Sequence, residues 1–180
     1  MANGNGSQPD ASNVQIGIRH IYLKDASLET PGTPDVFVGK VKLRQNSAAQ
    51  ASDSTGKAEN NPMQLQVSSR ANMLDEQNYE VILQVTVTLH DQSGKTALLI
   101  EVHQGGLFFI QGVSRQQLGP VLGSYCLHIL FPYAREVVSN LIAKAGYPQV
   151  LLPPVNFDAL YAQTMNAQSQ ADTTPDMENH

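Results

Sequence analysis

The stretch YEVILQVTVTL, residues 79–89, decides how this chain folds. Tyr79, Val81, Leu83, Val85, Val87 and Leu89 alternate with Glu80, Gln84, Thr86 and Thr88. A period of two, rich in β-branched residues, is the pattern of an antiparallel strand with one buried and one wet face. Working outward, Met63, Leu65 and Val67 repeat it against Gln64, Gln66 and Ser68. HDQSGK, 90–95, reads as a hairpin turn into a further strand from Thr96 to about Ile110, where Gly105-Gly106 suggests a bulge or bend. Nearer the start, Ile16, Ile18, Tyr22, Ala26 and Leu28 fall on one side and Arg19, Asp25, Ser27 and Glu29 on the other.

After Gly112 the period changes. Leu127, Leu130, Phe131, Ala134, Val137, Val138 and Leu141 have helical spacing, which predicts a helix over 124–144. Tyr125, Cys126, Tyr133 and Ile142 widen its apolar face beyond what one sheet needs, a sign of burial against a second subunit. Pro132 is expected to kink the helix or to start a new segment, and Gly146 and Pro148 to end it. A short second helix is expected to start at Asn156, a good N-cap. The expected fold is α+β: a four-stranded antiparallel sheet followed by one long and one short helix packed on one face.

Composition bounds the function. The 180 residues, 41% of them hydrophobic, suffice for one domain with a real core. Residues 1–13, 45–61 and 166–180 are polar, which suggests a disordered N-terminal tail, a long inserted loop and a disordered C-terminal tail around a domain spanning 14–165. A formal net charge of −5 argues against nucleic acid. The opening MANGNGSQPDASN has neither the basic start nor the apolar core of a signal peptide, and the longest apolar run, 121–134, is too short to insert in a bilayer. With a single cysteine, Cys126, this suits the cytoplasm. Five histidines stand in no metal-binding spacing, Cys126 has no flanking cation, and nucleotide-loop and nucleophile-elbow motifs are missing. No cofactor, metal or catalytic set is expected. Gly119 and Gly123 form a G-x-x-x-G, which carries little weight outside a membrane helix.

Two features remain. Asp25, Glu29 and Glu101 would form an acidic patch around Leu99 if the first and fourth strands are neighbours; the alternative is an ordinary solvated face. AGYPQVLLPPVNFDALY, 145–161, is either a buried connection between helices or the wall of a groove for extended apolar segments.

Several of these runs carry a resemblance. IYLKDASLETP (21–31), YEVILQVTVT (79–88), ALLIEVHQGGLF (97–108), LGSYCLHILFPYAREVVSNL (122–141) and PPVNFDALY (153–161) are similar to SecB, the bacterial protein-export chaperone family, and the likeness covers 16–161. It implies a cytoplasmic, ATP-independent homotetramer, a dimer of dimers, that holds unfolded precursor proteins and passes them to the SecA motor. By similarity, Asp25, Glu29, Leu99 and Glu101 would bind SecA through its basic, zinc-bearing segment. Val36, Phe37 and Val38 would face Leu152, Val155, Phe157, Leu160 and Tyr161 across a client groove. The chain departs from the family in lacking tryptophan and in its 45–61 insertion. A rival from another class is a hotdog-like acyl-thioester hydrolase using Glu136 or Asp158 with His128.

Overall fold

The computed structural model describes residues 14–43 and 63–171; the tail expected at 1–13, the insertion at 45–61 and residues 172–180 lie outside it. Four strands, β1 (Gln15–Glu29), β2 (Met63–Met73), β3 (Asn78–His90) and β4 (Thr96–Gln111), form one antiparallel sheet in the order β1-β4-β3-β2. Three helices follow: α1 (Arg115–Pro120), α2 (Cys126–Lys144) and α3 (Phe157–Ala171), with a π-turn, Val121–Tyr125, joining α1 to α2. The α+β class, the helix count apart, is the one the periodicities predict.

The alternation in 79–89 has the expected consequence. Tyr79, Val81, Leu83, Val85, Val87 and Leu89 are buried, as are Leu98, Ile100, Val102, Phe108 and Ile110 of β4. Against them lie Leu127, Leu130, Phe131, Ala134, Val138 and Ile142 of α2. These residues make the core, and the helix packs chiefly on β4 and β3. Each fully buried aliphatic or aromatic side chain contributes roughly 1.5–3 kcal/mol.

Strand β1 corrects one reading. Its pairing with β4 slips between Ile18 and His20 and again between Leu23 and Asp25. Each slip inserts a residue and reverses the phase. Ile16, Ile18, Ile21, Leu23, Ala26 and Leu28 therefore lie opposite the helix-facing residues of β4, whereas Tyr22 lies opposite Gly105 on the other face, with Asp25, Ser27 and Glu29. The irregularities sit in β1 and, beside the β3–β4 hairpin, at Ala97, not at Gly105-Gly106, which pairs in regular register with β3. Those glycines make room instead: a Cβ on Gly105 would stand 2.5 Å from the Tyr22 ring, and one on Gly106 would stand 2.6 Å from the Phe108 ring and 2.8 Å from Leu130.

The helix also differs in detail. It runs unbroken through Pro132, and its irregularity is the π-turn that follows Pro120. Ser114 caps α1 in a capping box with Gln117. At the other end Gly146, at φ 74°, closes α2. Its N–H donates to Ala143 O (3.0 Å) and that of Tyr147 to Ile142 O (3.2 Å), a Schellman motif. Asn156 Oδ1 caps α3 by accepting from Ala159 N (3.0 Å). This last helix has 15 residues and continues through Ala171, into the stretch expected to be tail.

Candidate binding surfaces

The face of the sheet away from the helices is ordered by the strand register. One row reads Glu29–Leu99–Thr88–Gln64, the next Ser27–Glu101–Thr86–Gln66, and the third Asp25–His103–Gln84–Ser68. Strands β1 and β4 are neighbours, so Asp25, Glu29, Leu99 and Glu101 come together in three adjacent rows, with Glu29 directly opposite Leu99. Leu99 is half-buried among them. Gln84 Nε2 donates to Glu101 Oε1 at 2.5 Å, and His103 Nε2 stands 3.9 Å from the same oxygen.

Toward the middle of this face the charges are paired off. Glu80 accepts from Tyr22 OH, from Lys24 Nζ at 2.7 Å and from Asn72 Nδ2 at 3.3 Å. The Lys24 ammonium and then the Tyr22 hydroxyl hold the Glu80 carboxyl down at about 2, while burial, reinforced by Glu80, pushes the Tyr22 phenol up to about 12. A carboxylate so engaged is neutralised locally. Open negative charge is thus confined to the Asp25, Glu29 and Glu101 end.

The apolar candidates divide in two. Phe37, Val38 and Leu151 are open, at 55%, 63% and 73% exposure. By contrast Leu152 is 0% and Phe157 2% exposed, so these two residues of the expected groove wall are core residues with no surface to offer. Phe157 sits edge-on to Phe131 (5.6 Å between centroids) and to His128 (5.2 Å). Its place at the first turn of α3 turns it inward, a contact that no local pattern encodes. Val36, Val155 and Leu160 are half-buried against the core.

Two residues outside the expected set join the two sides. Tyr147 OH donates to Ala97 O (2.7 Å), the carbonyl that also accepts from Gly32 N (3.1 Å). The crossover segment after β1 and the connection after α2 are thereby tied to one point at the start of β4. Phe37 then lies edge-on to Tyr147, 5.8 Å away, above Gly146. Tyr161, half-buried, lies over Gly119 and Gly123, where any Cβ would overlap its ring or hydroxyl. The G-x-x-x-G spacing sets both glycines on one helical face and so seats α3.

The residues of the rival hydrolase are only partly assembled. Asp158 and His128 both meet Ser124: its hydroxyl donates to Asp158 Oδ1, and His128 Nδ1 lies 3.1 Å from Ser124 O and, more loosely, 3.4 Å from the hydroxyl oxygen. A nucleophile needs a base that takes its proton and an acid that orients the base. Here the serine stands in the middle, buried, with its proton given to the carboxylate. Glu136 is engaged by Asn140 instead. The arrangement is a latch between α3 and the π-turn. Among the described residues no group of three His, Cys, Asp or Glu side chains could hold a metal ion. No described helix is long and apolar enough to cross a membrane.

Both the sequence and the fold have counterparts among known proteins. A family model described as "Preprotein translocase subunit SecB" matches residues 44–168. The chain is 45% identical over 160 residues to the protein-export protein SecB of Nitrosococcus oceani, covering 88% of this chain and 86% of that one. It is 43% identical over 158 residues to the protein of the same name from Methylococcus capsulatus, covering 87% and 90%. Among solved structures, a Mycobacterium tuberculosis SecB-like chaperone in complex with a ChAD peptide from an antitoxin aligns with a TM-score of 0.54 over 78% of this chain and 90% of that one. At 14% identity, that likeness concerns the fold.

Proposed function

The chain belongs to the SecB family, and from that membership we propose that it is an export chaperone that holds non-native precursor chains without nucleotide and delivers them to the SecA motor. The observation that carries this reading is that Phe37 and Val38 of the crossover segment and Leu151 of the connection after α2 are open apolar residues, with Phe37 resting on Tyr147 of that connection. Leu152 and Phe157, sealed in the core, take no part in capture. A protein that binds unfolded but not native chains shifts its clients toward the unfolded state by mass action. Single contacts of this kind are weak, and several subunits presenting them together gain by multivalency. Uncovered apolar residues on the helix-facing side of β1 (Ile18, Leu23), at the end of the π-turn (Tyr125) and on α2 (Tyr133) support a homo-oligomer, which we take to be the family's tetramer.

Asp25, Glu29, Leu99 and Glu101 form the surface for SecA, by the charge complementarity expected of a basic segment; the binding weakens with salt. The zinc of that segment belongs to the motor.

The test is capture of a reduced, unfolded model protein. The purified chain should suppress its aggregation without ATP, and Phe37→Ser with Leu151→Ser should weaken that suppression while the oligomer survives. Unchanged capture by the intact double variant would remove the surface assigned here. Turnover of an acyl thioester would instead favour the hydrolase.

A further inference from the structure

His103 stands at the centre of the open end of the acidic face. In the sheet it lies directly between Asp25 of β1 and Gln84 of β3, and two residues along β4 from Glu101. Its side chain is 24% exposed, and its Nε2 is buried without a hydrogen-bond partner, 3.9 Å from Glu101 Oε1. The charged groups facing it are Asp25 from β1 and Glu101 from its own strand; β3 presents the uncharged Gln84. Lys24, the nearest cation along β1, is committed to Glu80 at 2.7 Å. Gln84 already holds Glu101 Oε1 at 2.5 Å, and Ser68 Oγ approaches Gln84 Oε1 at 3.5 Å. The carboxylate is thereby fixed with one oxygen toward the imidazole.

From this arrangement we infer that His103 is a proton-controlled competitor for the anions that bind a cationic partner: neutral, it leaves Asp25 and Glu101 open, and protonated, it pairs with them and weakens binding. The inference rests on the reading of this face as a docking surface and adds its regulation and a specificity residue. Histidine changes charge between about pH 5 and 8, and an imidazolium N–H directed at a carboxylate makes a charge-assisted bond. Such a pairing takes up one of the anions a lysine or arginine would meet. Affinity for a cationic segment should therefore rise with pH, although the lysines and arginines of the segment keep their charge throughout this range.

The experiment uses the full chain and a histidine-free peptide rich in lysine and arginine, at fixed ionic strength. Binding should be about fivefold tighter at about pH 8 than at about pH 5.5, and His103→Gln should bind with no such slope. A slope that survives in His103→Gln overturns the inference, as does a flat profile in the parent protein. In either case the docking surface still stands if Asp25→Asn or Glu101→Gln weakens binding at the higher pH. If neither does, the surface reading fails and the inference fails with it. A second readout needs no substitution. By linkage, saturating peptide must shift the titration of the His103 ring, followed by NMR, to lower pH. An unmoved midpoint overturns the inference without touching the docking surface.

Discussion

Glu80 shows how one side chain answers to its surroundings. Its carboxyl is held at about 2 by Lys24 and Tyr22, against an ordinary value of 4.5. A carboxylate whose pKa is lower in the folded state stabilises the fold above the ordinary value and loses that contribution as the pH falls. Glu80→Gln should therefore lower the unfolding free energy from urea titration at pH 7 by on the order of 1 kcal/mol, and the two proteins should converge between about pH 4.5 and 2. A constant gap across that range would contradict the assignment. Burial separates the aromatic residues in the same way. Phe157→Ala, at a site 2% exposed, should cost about 3–5 kcal/mol, whereas Phe37→Ala, at 55% exposure, should cost well under half as much. Chemical denaturation of the two variants decides it. Cys126 is buried and its thiol is pushed up to about 12, so a thiol reagent at neutral pH should label it only after unfolding. Nothing in the residue types distinguishes Phe157 from Phe37. Both are apolar beside a proline-rich turn, and only the neighbours differ.

At the scale of elements, the glycines carry the packing. Gly146 adopts φ 74°, and a Cβ there would also stand 3.3 Å from the Phe37 ring. Gly146→Ala should cost about 1 kcal/mol or more and should loosen the seat of Phe37. Gly123→Ala should push Tyr161 off the π-turn. Amide exchange along Phe157–Ala171 should then speed up at least about tenfold with the sheet unchanged; equal protection would mean that the seat is not what holds α3. The end of α2, the Asn156 cap and the strand alternation were legible because each depends on residues within a turn or two; α1 and the far end of α3 were not. The bulges of β1 were not: a strand of mixed Ile, Tyr, Leu and Lys admits several phases, and the partner strand selects one. Likewise the spacing of Gly119 and Gly123 carried little weight in the sequence, and only the fold supplies Tyr161 as what approaches them.

Considered whole, the described residues leave a second apolar set uncovered besides Phe37, Val38 and Leu151. Ile18 and Leu23 on β1, Tyr125 at the end of the π-turn and Tyr133 on α2 are each about half exposed, beside a helix that packs chiefly on β4 and β3. Exposure on this scale is what the proposed oligomer would cover. Leu23→Glu with Tyr133→Glu should dissociate the oligomer, read by native mass spectrometry, and should weaken client capture through loss of multivalency even though neither residue belongs to the capture surface. A monomeric parent protein would refute the assembly argument. What the sequence determined by itself was the α+β class, the strand and helix order, and the strands that carry the acidic residues, since periods of two and of 3.6 are local properties of the backbone. Tertiary structure alone decided that Asp25 meets His103 and Gln84 meets Glu101, that Tyr22 turns to Glu80, and that Leu152 and Phe157 are sealed. Register, bulge position and burial are set by contacts between residues far apart in the chain, and no window along the chain contains both partners.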